Sequence, residues 1–289
     1  MMAEKVHKRT TSRINRSRAG NIMSLLFLLL LAAFMLLPMV FVVSNAFKPL
    51  DELFIYPPKL LVNKPTLDNF SSMMKLMSQS WVPFSRYLFN TVFLTVAGTL
   101  LHLIFASLAA YPLARHKFMG RDLIFGAIVL SLMFSGSVTQ IPSYIIITKI
   151  GLLDNHLATL LPAIQYSLGL YLIKQFMETL PDSVIEAARI DGASEWRIWA
   201  QLAMPMVKPA WLTLIILMIQ SLWNTISPYT FSEELKTMPQ ALNQILSGGI
   251  ARTGVSAAVS LIMLSVPVIT FVLSQSQIIE TMNSSGMKD

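Results

Sequence analysis

The sequence predicts an all-α integral membrane protein with six transmembrane helices. Three observations lead there. Apolar residues make up 54% of the 289-residue chain and gather in runs long enough to span, since about 20 helical residues cross the hydrocarbon core. Charged residues amount to only 13%, against roughly a quarter in soluble domains. The basic residues fall between the runs, with Lys5, Lys8, Arg9, Arg13, Arg16 and Arg18 crowded at the start. The +7 charge therefore indicates membrane orientation rather than nucleic-acid binding. Runs of this length exclude a β-barrel, whose strands need only about ten residues. No repeat of fixed period is present, and the chain divides into a basic N-terminal segment (1–20), one six-span body (21–280) and a polar tail (281–289).

The elements follow in order. The first apolar run, 22–47, exceeds the roughly 7–15 residues of a signal-peptide core, so it is expected to be an uncleaved span with its N-terminus in the cytoplasm. Pro38 within it predicts a kink. Residues 48–86 contain five prolines and form an outer loop, with a short helix over 67–77. The second span, 87–114, is roughly 42 Å long at 1.5 Å per residue, so it tilts or projects from the core. Arg115, His116, Lys117 and Arg121 then make a basic inner loop. The third span covers 122–149, broken at Gly136 and Pro142; 151–156 is an outer turn; the fourth covers 157–176, with Pro162 and Gly169 inside it. Residues 180–209 lie inside, the fifth span covers 210–231, 232–256 lie outside, and the sixth span covers 257–278. Inner segments hold fourteen Lys and Arg, the longer outer segments eight, which puts both termini in the cytoplasm.

The inner loop 180–209 has its own grammar. Pro181 suits the first helical position, where its missing N–H costs nothing. Asp182 and Glu186 favour the positive end of that helix. Val184, Ala187, Ala188 and Ile190 make one small apolar face, and Gly192 ends the helix. Ser194 caps a second helix through Trp196, Ile198 and Trp199, which Pro205 and Pro209 limit. The alanines let another surface come close, which suits a docking peg; an amphipathic linker on the membrane surface is the other reading.

Glu186-Ala187-Ala188, Asp191-Gly192-Ala193, Leu202, Met204-Pro205 and Pro209 resemble the EAA loop of permease subunits of type I ATP-binding cassette importers. Leu202 and Met204 stand where that pattern usually has Ile and Leu. Phe89-Asn90-Thr91 and Trp223-Asn224 are similar to the carbohydrate-uptake branch, and the resemblance runs from residue 20 to the end. It implies the type I importer permease fold, in the cytoplasmic (inner) membrane of a bacterium. It implies that Glu186, Ala187, Ala188, Asp191 and Gly192 couple the spans to a cytoplasmic ATPase. The implied partners are a second homologous permease, two ATPase subunits, an extracellular or periplasmic solute-binding protein and a carbohydrate. The implied cofactors are none in this chain, ATP and Mg being bound by the ATPase subunits. The tail from Ser274 is similar to that of oligosaccharide permeases, where it reaches the ATPase; a frayed terminus fits equally.

The residues exclude several chemistries on their own. His7, His102, His116 and His156 are scattered without metal-ligand spacing, and His102, the one inside a span, fits a packed role. No G-x-x-x-x-G-K-[ST] stretch is present to cradle ATP phosphates. The spans lack the central carboxylates that a proton- or sodium-coupled carrier needs. They do hold Asn90, Thr91, Gln140, Tyr144, Gln165, Tyr166, Gln220, Trp223, Asn224 and Tyr229. Amides can bond sugar hydroxyls and aromatic rings can stack on sugar C–H faces. Gln140, Tyr144, Gln165, Tyr166, Gln220, Trp223 and Asn224 are therefore the substrate-path candidates, with Gln220, Trp223 and Asn224 on one helix face. Bonding between helices is the alternative role for the same groups. The expected function is an alternating-access importer subunit for a carbohydrate. Its rivals are an amino acid, polyamine, phosphate or glycerophosphodiester permease, and a membrane enzyme or sensor; neutral path residues disfavour anions, and no loop between spans is long enough for a signalling domain.

Overall fold

A computed structural model describes residues 18–78, 81–247, 249 and 252–285, and among these there is no strand. Helix α1 (Arg18–Ala46) carries Pro38 within an unbroken helical run. The outer loop folds into α2 (Leu50–Leu53) and α3 (Asp68–Ser78), close to the expected 67–77. Then come α4 (Phe84–Arg115), α5 (Arg121–Ser131), α6 (Gly136–Lys149), α7 (His156–Ile164) and α8 (Ser167–Glu178). The expected inner loop holds α9 (Asp182–Ile190), α10 (Glu195–Ile198), a π-helical turn (Trp199–Ala203) and α11 (Met204–Met206). The chain continues through α12 (Lys208–Trp223), α13 (Met238–Leu246) and α14 (Thr253–Ser285).

Residues of α1, α4, α7 with α8, and α14 give four stretches long and apolar enough to cross a membrane. Two bent pairs raise the count to as many as six: α5 with α6, bent by 111°, and α10–α11 with α12, bent by 78°, the latter drawing in residues 195–206 of the expected inner loop. The third span therefore turns sharply just before Gly136, while Pro142 sits inside α6 without ending it. The fourth breaks at Gln165 and Tyr166, between Pro162 and Gly169, rather than at either. The fifth helix ends at Trp223, eight residues short of the expected boundary at 231, because Asn224 caps it and its side chain turns back to the Gln220 carbonyl at 3.2 Å. At the other end of α12, Pro205 and Pro209 make an elbow. A proline ring excludes the usual i−4 partner, and just before it the Met204 N–H reaches back five residues to Trp199 O. The Trp211 indole then donates to Met204 O at 3.0 Å, across the gap in the ladder. Helix α14 passes the expected end of the sixth span and runs to Ser285. The basic start, apart from the opening turn of α1, lies outside the described residues.

Helix α4 is the hub, packing against α7, α8, α12 and α13, while α1 and α3 lie on α14. Helix–helix contact in lipid depends on close approach, because the tails are as apolar as leucine. Two glycines supply it. A Cβ on Gly98 would stand 2.7 Å from Leu222 Cδ1. A Cβ on Gly169 would collide with His102 Nε2 and stand 2.6 Å from Leu214 Cδ1. His102, fully buried, is fixed by its Nδ1 at 2.8 Å from Ile164 O, on the last residue of α7. The packed role expected for it is the one it has.

At the N-terminal end of α4, Asn90 Nδ2 donates to Glu234 O at 2.7 Å and Lys236 O at 2.9 Å. Thr91 Oγ1 accepts the Met238 N–H at 2.7 Å, and Arg86 Nε donates to Glu234 O at 3.2 Å. Asn90 and Thr91 are fully buried, so they bind loop 233–238 to α4 instead of facing a path. In the outer loop, Glu52 accepts the N–H groups of Asn63 and Lys64 at 3.0 and 2.9 Å, and Asn69 closes the C-terminus of α1 through Ala46 O and Lys48 O. The loop is thus a folded element.

Gly169→Ala should lower stability by about 1–3 kcal/mol through overpacking, visible as a lower thermal midpoint in detergent. Adding His102→Ala should recover part of the loss; an unchanged deficit in the double variant would show that the ring is not what the new methyl meets.

Candidate functional site

Helix α9 is gripped on one side and bare on the other. Its buried residue is Ile185, with Val184 and Ala188 half-buried beside it. The expected face of Val184, Ala187, Ala188 and Ile190 is corrected accordingly: Ala187 is exposed, and Ile190 stands 85% open. The helix turns so that its largest well-placed apolar side chain enters the cluster formed by Tyr111, Met177, Leu180 and Ile198. Glu186, Ala187, Ile190, Asp191 and Gly192 all face outward, with Trp196 on the following helix also 68% exposed. Ala188 instead packs against the cluster.

The helix ends as the glycine dictates. Gly192 has φ +78°, its N–H bonds to Arg189 O at 3.0 Å, and the Ala193 N–H bonds to Ala188 O at 3.0 Å. This pair of bonds is the Schellman motif, which satisfies the last carbonyls of a helix. Pro181 sits just before the first helical residue, Asp182, and Ser194 Oγ accepts the Arg197 N–H at 3.4 Å as cap of α10.

The C-terminal end of α4 holds both ends of α9. Arg115 pairs with Asp182 at 2.6 Å and donates to Leu180 O. Tyr111 Oη donates to Glu195 Oε2 at 2.8 Å, and Arg189 Nε donates to Glu195 Oε1 at 2.9 Å. His116 Nε2 lies 3.4 Å from the same carboxylate. Below, Glu178 accepts from Lys174 at 2.7 Å and from Arg121 at 3.4 Å, and the Lys174 ammonium lies 3.6 Å from the centre of the Phe125 ring. Asp182 is 83% exposed, so its pair contributes under about 1 kcal/mol. Burying Ile185 contributes about 1.5–3 kcal/mol. Burial therefore seats the helix, and the polar groups set its orientation.

The substrate-path candidates are scattered by comparison. Gln140 is exposed on α6, and Tyr144 stacks on Tyr229 with ring centres 6.3 Å apart. Gln165 is exposed at the α7–α8 break, and Tyr166 meets the His102 ring edge-on at 5.7 Å. Gln220 is half-buried and Asn224 exposed, joined by the bond described above. Trp223 departs from them: it is buried in a cluster with Met73, Met77, Tyr87 and Met238. The three residues expected to share one face are therefore split between a core and a surface. Neither the cavity along α1, lined by Val40, Ser44 and Leu61 among others, nor the one lined by Tyr87, Gln244 and Arg252 includes any of the seven.

The family model described as binding-protein-dependent transport system inner membrane component matches residues 18–281. The chain belongs to that family. The permease is 31% identical to Protein LplC of Bacillus subtilis over 220 residues, 74% of this chain and 70% of that one. It is 30% identical to the polygalacturonan/rhamnogalacturonan transport system permease protein YtcP of the same species over 199 residues, 69% of this chain and 67% of that one. In fold it is similar to a chain of a bacterial transporter involved in importing the acidic polysaccharide alginate, with TM-score 0.76 at 23% identity, covering 90% of this chain and 98% of that one.

Several residues of the permease site escape a sequence reading. Tyr111, Arg115, Arg189 and Glu195 hold α9, and the signal was a basic stretch after the second span facing an acid-rich inner loop. Asp154 is another. At φ 58° it turns the α6–α7 connection so that its N–H meets Tyr229 O at 2.9 Å. Its carboxylate accepts the N–H groups of Phe231 and Ser232 at 2.9 and 2.8 Å, and the Ser232 hydroxyl. Those bonds, the Ser232 hydroxyl first, hold the Asp154 carboxyl below the usual carboxylate range. A lowered folded-state pKa means that the clamp is complete above the unfolded value, about 4, and is lost as pH falls through the lower folded one. Amide-exchange protection at Phe231 and Ser232 should accordingly fall in that acid window. Asp154→Ala should remove it already at neutral pH; protection that survives the substitution would show that the carboxylate does not hold this loop.

Proposed function

We propose that the chain is one of two permease subunits of an ATP-driven, binding-protein-dependent importer for an oligosaccharide or related carbohydrate. The observation that carries the reading is the bare face of α9. In a chain of this family, Glu186, Ala187, Ile190, Asp191 and Gly192 are presented outward on a helix whose other face is seated on Ile185 and latched to α4. Glu186 and Asp191 supply charge for a basic groove, and Ala187 and Gly192 keep the contact close. The groove belongs to a cytoplasmic ATPase, two copies of which bind ATP and Mg. This chain binds neither. The surplus of basic residues in the loops on the α9 side supports placing that side, and both termini, in the cytoplasm of a bacterial cell.

The carbohydrate assignment draws support from the names of the relatives, one a polygalacturonan/rhamnogalacturonan permease and one an alginate transporter. Both of those substrates are acidic polymers, so the neutral path residues do not restrict the proposal to uncharged sugars. Gln140, Gln165 and Gln220 are the amides proposed to meet sugar hydroxyls, with Asn224 offering its oxygen while its N–H caps α12, and Tyr144 and Tyr166 as the rings. Trp223, being buried, is assigned to the core. A second permease completes the path, a solute-binding protein delivers the sugar to the outer face, and movement of α9 with the ATPases alternates access.

Glu186→Lys should leave the protein in the membrane at normal abundance, reduce recovery of the ATPase in a mild-detergent pull-down, and lower sugar uptake by vesicles about tenfold or more, as expected for a reversed charge in a desolvated interface. Uptake at the parent rate would remove α9 from the coupling role.

A further inference from the structure

Helix α4 is pinned at both ends. Its 32 residues span about 48 Å. One end is fixed to loop 233–238 through Arg86, Asn90 and Thr91. The other end is fixed to α9 and α10 through Tyr111, Arg115 and His116. Within the second attachment one carboxylate joins more than one helix. Glu195, on α10, takes Tyr111 of α4 on one oxygen and Arg189 of α9 on the other. Three helices thus meet on a single side chain.

Tyr111 is 4% exposed, so a partner docked on the bare face of α9 cannot touch it. Any effect of its hydroxyl must pass through the Glu195 carboxylate and the Arg189 guanidinium, the groups it meets. Arg115 forms a second attachment, donating to Leu180 O just before α9 and pairing with Asp182, which is mostly open to water, where an ion pair is weak. Both bonds are charge-assisted, but the Glu195 side chain, 47% exposed, is less open to water than that of Asp182.

We propose that Glu195 and Tyr111 are positioning residues that make α9, α10 and α4 one rigid lever, so that displacement of the docking helix is delivered to loop 233–238 at the opposite end of α4. The inference rests on the docking role of α9 proposed above. With the hydroxyl removed, α9 still docks, but its movement is taken up at the loosened joint.

The chain has no cysteine, which allows a direct test. Glu234 is exposed, and α4 holds it only by its backbone carbonyl, so Glu234→Cys introduces a reporter on the outer loop. The complex with its ATPase is reconstituted in nanodiscs, and the labelling rate by a membrane-impermeant maleimide is compared with ADP and after trapping with ATP and vanadate. In the parent the rate should change with nucleotide. In Tyr111→Phe, which keeps the ring in its cluster, that change should shrink about threefold or more while the ATPase still copurifies. Glu195→Gln, which keeps an acceptor for Tyr111 but weakens the Arg189 pair, should give an intermediate value. A full nucleotide-driven change in both variants overturns the lever. Absence of any such change in the parent overturns the docking role itself, and the lever with it. A purely structural role would lower the thermal midpoint and leave the nucleotide-driven change intact.

Discussion

Close packing against α4 is the constraint on which the rest of this structure depends. Water expels apolar side chains into the core of a soluble domain; lipid supplies no such drive between helices. The bundle must therefore gain from contact at short range and from polar groups satisfied across helices. Gly98 and Gly169 remove the atoms that would hold α12 and α8 away. Ala106 and Ala110 continue the narrow seam toward Tyr111. His102 fills the space beside Gly169 and closes the α7 carbonyl at Ile164. A larger residue at either glycine would disturb each element placed by α4, including α9.

Outside the spans the balance changes, because α9 meets water. There the burial of Ile185 supplies most of the attachment, and the ion pairs act as guides. This division explains why so many charges can gather around one short helix. Of the five acids from Glu178 to Glu195, three face Lys174, Arg121, Arg115, Arg189 and His116 in pairs, while Glu186 and Asp191 form no ion pair among the described residues and point away. The charges that remain on offer are thus the ones on the bare face.

Much of this was legible in the sequence, and the misses have physical causes. The spans were legible because apolar runs of that length have few other uses. The Gly192 stop was legible because a left-handed residue at a helix end nearly demands glycine. The apolar face of α9 was misjudged because Val184, Ala187, Ala188 and Ile190 satisfy helical spacing as well as Ile185 does, and only the tertiary cluster decides which way a nine-residue helix turns. The same applies to Trp223. Its spacing from Gln220 is right for one face, but the helix ends at that point and the ring falls inward among the methionines of the outer loop. The grip of Tyr111 on Glu195 joins residues 84 positions apart, a distance over which local pattern carries no information.

The interruption at Gln165 and Tyr166 has a consequence for the surrounding solvent. Two helical segments meet there without a continuous ladder, and the Gln165 side chain is exposed. Non-helical backbone at membrane depth is tolerated only when protein or a water-filled cavity covers it, since each unsatisfied group in hydrocarbon costs several kcal/mol. The annulus of lipid tails must therefore stop short of this notch. On that side the permease draws its own shoreline, where the bilayer ends and hydrated space or another polypeptide begins.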